Sequence, residues 1–166
     1  MKYYRDVLLF PKFSNMNIIQ DIRKNCDELF EIIDPHITIV FPFLDDMTNE
    51  KLVTIIKNYF KNKKTFYVKF SGISFSEDGY IFLNCAEGKE DIIKLHNDLY
   101  NKFFFDHLGK RKYVPHITIG QAFNCTKEQI KKINDLKDVF ECYIDTVVVE
   151  KIGINEESII LDIINL

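Results

Sequence analysis

The pentapeptide Pro-His-Ile-Thr-Ile occurs twice in the 166-residue chain, at residues 35–39 and again at residues 115–119. Imidazole titrates near neutral pH, so a histidine can accept or donate a proton, and two histidines can do both in one turnover. A threonine hydroxyl can donate a hydrogen bond to a phosphate oxygen. The candidate catalytic residues are therefore His36, Thr38, His116 and Thr118.

Each copy of the motif is typical of a β-strand, in which successive side chains point to opposite faces. His36 and Thr38 then share one face, with their Cα atoms roughly 6.5–7 Å apart, and the flanking isoleucines face the other way. Two such pairs that converge on one cleft supply a base and an acid on opposite sides of a phosphate, as in-line displacement requires. The alternative is a duplicated strand with packed histidines, but two identical copies favour chemistry.

The residues around the first motif predict a β-α-β-α-β unit over residues 1–77. β-Branched and aromatic residues predict strands at 3–10, 36–41 and 65–75. Apolar residues at helical spacing predict two helices between these strands, which start at Ser14 or Asn15 and at Thr48.

Residues 78–166 predict the same unit again, with one extra C-terminal strand. Strands are predicted at 79–85, 116–120, 139–150 and 158–164. Helices are predicted at 88–105 and after Thr126, where Thr126 and Gln129 can form a capping box. Because no Pro-, Gly- or Ser-rich linker separates the copies, residues 1–166 should form a single domain with two lobes related by a pseudo-two-fold axis.

Composition limits the partners and the compartment. A net charge of −3 and a pI near 5.8 argue against a protein that coats duplex DNA, so any nucleic-acid contact should be confined to one cleft. The apolar run before Pro11 is too short for a membrane span or a signal peptide, which predicts a cytoplasmic protein. The four cysteines form no C-x-x-C pair and are expected to be free thiols in a reducing compartment; they are Cys26, Cys85, Cys125 and Cys142.

A basic stretch leads directly into the second motif. Lys110, Arg111 and Lys112 can hold further phosphates, and the ring of Tyr113 can stack on a base, so these four are candidate substrate-binding residues. The alternative is an ordinary solvated loop.

The other two histidines, His96 and His107, have no repeated context and are predicted to be structural or solvent-exposed. Zinc is disfavoured because the histidines and cysteines fit no metal-ligand spacing, and neither a metal nor a cofactor is expected.

The two His-x-Thr motifs, placed in equivalent positions of the duplicated unit, resemble those of the 2H phosphoesterase superfamily, which includes 2′-5′ RNA ligases and cyclic phosphodiesterases. The resemblance covers essentially the whole chain, and the segments VLLFPKF and PHITIGQ are similar to a short bacterial branch of phosphoesterases. It implies that His36 and His116 are the catalytic pair and that Thr38 and Thr118 bind the phosphate. It also implies a LigT-like α+β fold, with antiparallel sheets that line a central groove and helices outside.

The function expected from this resemblance is metal-independent hydrolysis of a 2′,3′-cyclic phosphate or a 2′-5′ phosphodiester at a nucleotide or RNA terminus. Family analogy favours His116 as base and His36 as acid. The expected partner is a nucleotide or RNA end, without duplex DNA or membrane, and the protein is expected to be a monomer. The alternative from another class is a module that binds a nucleotide or RNA end without turnover.

Overall fold

The computed structural model describes residues 4–110 and 112–166. The strands are β1 (Arg5–Leu9), β2 (Ile37–Phe43), β3 (Phe66–Phe75), β4 (Tyr80–Glu87), β5 (His116–Gln121), β6 (Phe140–Ile144), β7 (Thr146–Ile152) and β8 (Ser158–Asn165). The α-helices are α1 (Met16–Cys26), α2 (Asn49–Phe60), α3 (Lys89–Leu99) and α4 (Lys127–Asn134). The elements alternate as the sequence predicts, and the α+β class is confirmed.

The strands form two antiparallel four-stranded sheets. Sheet A has the order β2-β1-β7-β8, and sheet B has the order β5-β4-β3-β6. The two orders correspond strand for strand, with β1 equivalent to β4 and β2 equivalent to β5. Each sheet contains strands from both halves of the chain. β3 of the first half pairs within sheet B, and β7 of the second half pairs within sheet A. The two halves are therefore interlocked.

The predicted strand at 139–150 is wrong as a single element. It divides at Asp145, so that β6 pairs with β3 in sheet B while β7 crosses to pair with β1 in sheet A. The buried positions change phase at this point: Phe140 and Ile144 face the core at even numbers, and Val147 and Val149 do so at odd numbers. One continuous strand cannot keep both sets on one face.

Both motif strands carry a bulge at the same place. In sheet A, Leu8 lies opposite Thr38 and Val7 lies opposite Val40, so Ile39 is skipped. In sheet B, Phe82 lies opposite Thr118 and the next pair is formed by Gly120, so Ile119 is skipped. A bulge bends a strand and changes the direction of the side chains beside it. The matched bulges give the two motifs the same local geometry.

The helices lie outside the sheets, and the first helix of each half packs against the motif strand of the other: α1 contacts β5 and α3 contacts β2. Gly120 permits the first of these contacts, because a Cβ atom there would lie 2.8 Å from the carbonyl oxygen of Cys26. The four isoleucines of the two motifs are fully buried in the shared core beneath the helices.

The helix ends differ in how well the sequence predicts them. Thr48 caps α2, and the capping box of Thr126 and Gln129 at α4 is confirmed. Asn15 precedes α1 without a side-chain cap, because its amide donates to the carbonyl oxygen of Val139 instead. The helix predicted at 88–105 ends its α-helical part at Leu99 and continues as a π turn, Tyr100–Phe104.

The prediction of four free thiols is wrong for two of the cysteines. Cys26 at the end of α1 and Cys125 after β5 form a disulfide, with their Cα atoms 5.1 Å apart, whereas Cys85 and Cys142 are free. The packing of α1 on β5 brings the pair together, although 99 residues separate them in sequence. Sequence spacing alone carries no sign of such a contact.

No helix within the described residues is both long enough and apolar enough to cross a bilayer.

Candidate active site

The two motifs occupy equivalent positions at the ends of the edge strands. His36 immediately precedes β2, and His116 is the first residue of β5. In both copies the proline and the isoleucines are buried, while the histidine and the threonine are half-buried. The alternation expected of a strand is thus present, with the polar side chains on the face away from the helices.

Each histidine ring is held by a backbone carbonyl two residues earlier. His36 Nδ1 lies 2.8 Å from the carbonyl oxygen of Asp34, and His116 Nδ1 lies 2.7 Å from that of Val114. A carbonyl oxygen only accepts, so Nδ1 carries the proton and donates it in this bond. In the neutral ring Nε2 is then the unprotonated nitrogen, which makes Nε2 of both histidines available for proton transfer.

Burial lowers the pKa of both histidines below its ordinary value of 6.5, because the charged form is desolvated. The hydrogen bond to the backbone carbonyl opposes this shift in each case. Repulsion from His116 is a further cause that lowers the pKa of His36.

Each motif threonine begins a row of cross-strand neighbours on the same sheet face. In sheet A the row runs from Thr38 to Leu8, Val148 and Ile163. In sheet B the row runs from Thr118 to Phe82 and Ser74. The row in sheet A is thus aliphatic, and the row in sheet B contains an aromatic ring and a hydroxyl.

A cavity of about 660 Å³ opens over the row in sheet B. His116 lines this cavity, and the ring of Phe82 packs on the His116 ring with their centroids 4.0 Å apart. The other lining residues include two further aromatic rings and two basic side chains: Tyr80, Tyr113, Lys110 and Lys112. Rings and ammonium groups in one cavity suit a planar base and its phosphates.

Of the predicted basic stretch, Lys110 and Lys112 line this cavity, whereas Arg111 lies outside the described residues. Tyr113 lines the same cavity, but its ring lies flat on the ring of His96, with centroids 3.8 Å apart and 4° between the planes. Its hydroxyl donates to the carbonyl oxygen of Thr38 at 2.8 Å. Tyr113 thereby connects the segment before the second motif to the strand of the first.

Three side chains from the second half of the chain hydrogen-bond the free edge of β2. Tyr113 donates to the carbonyl oxygen of Thr38, and His96 Nδ1 lies 3.0 Å from that of Ile39. The hydroxyl of Tyr100 accepts from the backbone N–H of Phe41 at 3.0 Å. We call Tyr113, His96 and Tyr100 the edge clamp. It satisfies backbone groups of an edge strand near its bulge, on the side where the described part of the chain places no neighbouring strand.

Sequence reasoning missed His96 and Tyr100 of the edge clamp, and it predicted Tyr113 as a residue that stacks on a base, not as a donor to the Thr38 carbonyl. His96 is only 5% exposed, which agrees with the prediction that it is structural. The sequence does not predict its partner, the carbonyl oxygen of Ile39. One feature of the sequence does relate His96 to Tyr100: they lie four residues apart, which places both side chains on one face of a helix. His107, the fourth histidine, is half-buried with its ring centroid 5.1 Å from that of Phe43.

Across the described part of the chain, no three histidine, cysteine, aspartate or glutamate side chains gather where they could share a metal ion.

A fold of two pseudo-equivalent antiparallel sheets, each with a His-x-Thr motif on its edge strand, defines the class of two-histidine phosphoesterases. Residues 11–153 match the family described as the 2′-5′ RNA ligase superfamily. The chain belongs to this superfamily, which confirms the resemblance read from the motifs and supports a phosphoesterase-type function.

Similar bacterial proteins are described as phosphoesterases. A "Putative phosphoesterase" of Bacillus pumilus is 29% identical over 126 residues, which cover 75% of this chain and 72% of the relative. A protein of the same description from Oceanobacillus iheyensis is 29% identical over 125 residues, covering 73% of this chain and 71% of the relative.

Solved structures of E. coli LigT share the fold at low sequence identity. The LigT structure complexed with ATP has a TM-score of 0.69 and 11% identity, and the alignment covers 100% of this chain and 99% of LigT. The complex with 3′-AMP has a TM-score of 0.66 and 10% identity, with the same coverage. The LigT-like fold is thus confirmed.

Proposed function

We propose that the protein is a two-histidine phosphodiesterase that hydrolyses a 2′,3′-cyclic phosphate or a 2′-5′ phosphodiester at a nucleotide or RNA terminus. The observation that carries the proposal is the matched pair of Nδ1 bonds, from His36 to the Asp34 carbonyl and from His116 to the Val114 carbonyl. These bonds leave two Nε2 atoms, on equivalent strands, free to transfer protons.

In the proposed reaction, Nε2 of one histidine takes the proton from the attacking water or hydroxyl, and Nε2 of the other protonates the leaving oxygen. The hydroxyls of Thr38 and Thr118 donate to the non-bridging phosphate oxygens, on which negative charge develops. The family analogy assigns the base to His116 and the acid to His36. No step in this scheme uses a metal ion.

The proposal of a nucleotide substrate rests on the cavity over sheet B and on the fold. Phe82 and Tyr80 offer ring faces for a base, and Lys110 and Lys112 offer charge for additional phosphates. LigT, which shares the fold, has been crystallised with ATP and with 3′-AMP. We extend nucleotide binding to this chain on that basis.

The test is to incubate the protein, with EDTA present, with 2′,3′-cyclic mononucleotides and 2′-5′-linked dinucleotides, and to separate the products by chromatography. The matched control is the His36→Ala/His116→Ala variant, which should retain the fold because both side chains are only half-buried. We expect turnover by the wild type and a loss of at least about 10³-fold in the variant. Binding of these nucleotides without turnover would support the binding module instead.

Four expectations from the sequence remain predictions: no binding of duplex DNA, no binding of membranes, a monomeric state and a cytoplasmic location. A gel-shift assay, a vesicle sedimentation assay, light scattering and cell fractionation would test them in turn.

A further inference from the structure

A second cavity lies over sheet A, on the His36 side of the site. Its volume is about 600 Å³, and its lining includes Asp34 and Pro35, which lead directly into His36. Phe10 also lines it, and the Phe10 ring centroid lies 5.8 Å from that of His36. The cavity therefore reaches the first residue of the first motif, Pro35.

The floor of this cavity is the aliphatic row of sheet A. Val148 and Ile163 belong to the same cross-strand row as Thr38 and both line the cavity. Ile163 is 52% exposed and its neighbour Ile160 is 54% exposed, although both are large apolar side chains. Ile32 and Ile33 face the same space from the segment before the motif. Exposed aliphatic side chains that line a cavity next to a site mark a place for an apolar group.

The polar side chains of the cavity are already engaged with protein partners. Lys12 forms an ion pair with Asp145, and Thr146 hydrogen-bonds the same carboxylate. Gln20 donates to Asp34, and Ser158 donates to the buried carboxyl group of Glu150. A nucleobase in this cavity would compete with these pairs for its hydrogen bonds, whereas an aliphatic chain needs none.

We infer that the cavity over sheet A binds an aliphatic group, so that the substrate is a phosphodiester between a nucleotide, held over sheet B, and an aliphatic alcohol, held over sheet A. The inference rests on the proposed function, because the phosphate must lie between the two motifs. It differs in its substrate, since one side of the phosphate carries an alkyl chain in place of a second nucleoside. It differs also in its nucleophile, since the 2′-hydroxyl of the nucleoside attacks in place of water.

The corresponding reaction on a nucleoside 3′-alkyl phosphate is balanced without a further reactant. The 2′-hydroxyl oxygen bonds to phosphorus while its proton moves to Nε2 of His116. The bond between phosphorus and the alkyl oxygen breaks, and that oxygen takes a proton from Nε2 of His36, which directly follows the lining residue Pro35. The products are a nucleoside 2′,3′-cyclic phosphate and the alcohol.

The experiment uses methyl, butyl and octyl esters of adenosine 3′-phosphate as substrates. Complete burial of one methylene group contributes about fourfold in affinity, so partial burial of the chain in an open groove predicts at least about tenfold higher kcat/KM for the octyl than for the methyl ester. The Ile160→Thr/Ile163→Thr variant should lose this dependence on chain length. Ile154→Thr is the matched control, since Ile154 is 75% exposed and does not line the cavity.

Binding of the 2′-deoxy esters, which lack the attacking hydroxyl, separates this inference from the proposed function. Calorimetry on the wild type should show tighter binding of the octyl than of the methyl 2′-deoxy ester. Octyl preference in binding, without turnover of any ester or of the 2′,3′-cyclic mononucleotides and 2′-5′-linked dinucleotides, would support the aliphatic site and overturn the proposed activity. Turnover that depends on the histidines, with no effect of chain length on rate or binding, would overturn the inference and leave the activity standing.

Discussion

The two motif histidines have the same backbone hydrogen bond and the same partial burial, yet an acid–base pair needs them in different protonation states. Burial lowers the pKa of each below 6.5, so both are mostly neutral at pH 7. In the proposed mechanism the active form has one ring protonated and one neutral, and this form is most populated midway between the two pKa values. This holds whichever histidine is the acid.

We therefore expect a bell-shaped dependence of kcat/KM on pH with its maximum below pH 6.5. The measurement is a pH–rate profile on a nucleoside 2′,3′-cyclic phosphate, with an NMR titration of the two imidazole rings beside it. A maximum at or above pH 7 would contradict the assignment of both protons to buried histidines.

Stability must be followed in the same buffers. A histidine whose pKa is lower in the folded state binds fewer protons there than in the unfolded chain, so its contribution to folding is present above pH 6.5 and is lost as the pH falls. Unfolding curves at each pH distinguish a true acidic decline in rate from loss of folded protein.

At the scale of elements, the first motif depends on a strand edge that no other strand covers within residues 4–110 and 112–166. β2 lies at the end of sheet A, and its bulge exposes the carbonyl groups of Thr38 and Ile39. The edge clamp binds both carbonyls and the N–H of Phe41. Tyr113 suits this role as a donor, because burial raises the pKa of its hydroxyl and keeps it protonated.

We expect Tyr113→Phe to lower kcat about tenfold with KM changed less than twofold. The substitution removes the donor to the Thr38 carbonyl and lets the strand that carries Thr38 relax, but it keeps the ring stacked on His96. Steady-state kinetics on a cyclic mononucleotide, with thermal unfolding in parallel, would measure both effects. The control is Tyr143→Phe, since Tyr143 is 65% exposed.

The same variant tests the interpretation read from the sequence, in which the Tyr113 ring stacks on a base. A stacking residue keeps its ring in phenylalanine, so in that case kcat would be unchanged. An unaltered kcat would therefore favour Tyr113 as a substrate contact and contradict its positioning role.

How much the sequence predicts depends on the range of the interaction. The period of two in the motifs and the helical spacing around Ile18 and Leu52 are local, and they locate the strands and helices to within a few residues. The pairing of β3 with sheet B, the disulfide and the edge clamp join segments far apart in the chain. The hydrophobic pattern of a strand predicts which of its faces is buried, but it does not predict which other strand pairs with it.

At the scale of the molecule, the two sheets do not coincide with the two sequence repeats, because each repeat contributes strands to both sheets. Residues 1–77 contain β3, whose partners β4 and β6 both belong to residues 78–166. Conversely, β7 pairs with β1, and Val147 and Val149 join the same core as Val7 and Leu9. Each half alone would expose three strand edges that are paired in the whole chain, and part of that core.

We expect neither residues 1–77 nor residues 78–166 to unfold cooperatively when expressed alone, whereas the whole chain should show a single transition. The boundary falls in the turn between β3 and β4, so the cut itself removes no strand residue. Thermal unfolding followed by circular dichroism, with NMR chemical-shift dispersion as a second readout, would compare the fragments with the full protein. A fragment with a sharp transition and dispersed resonances would show that the halves are independent lobes. The site would then be an interface between two folded units, and the edge clamp would be a contact across it.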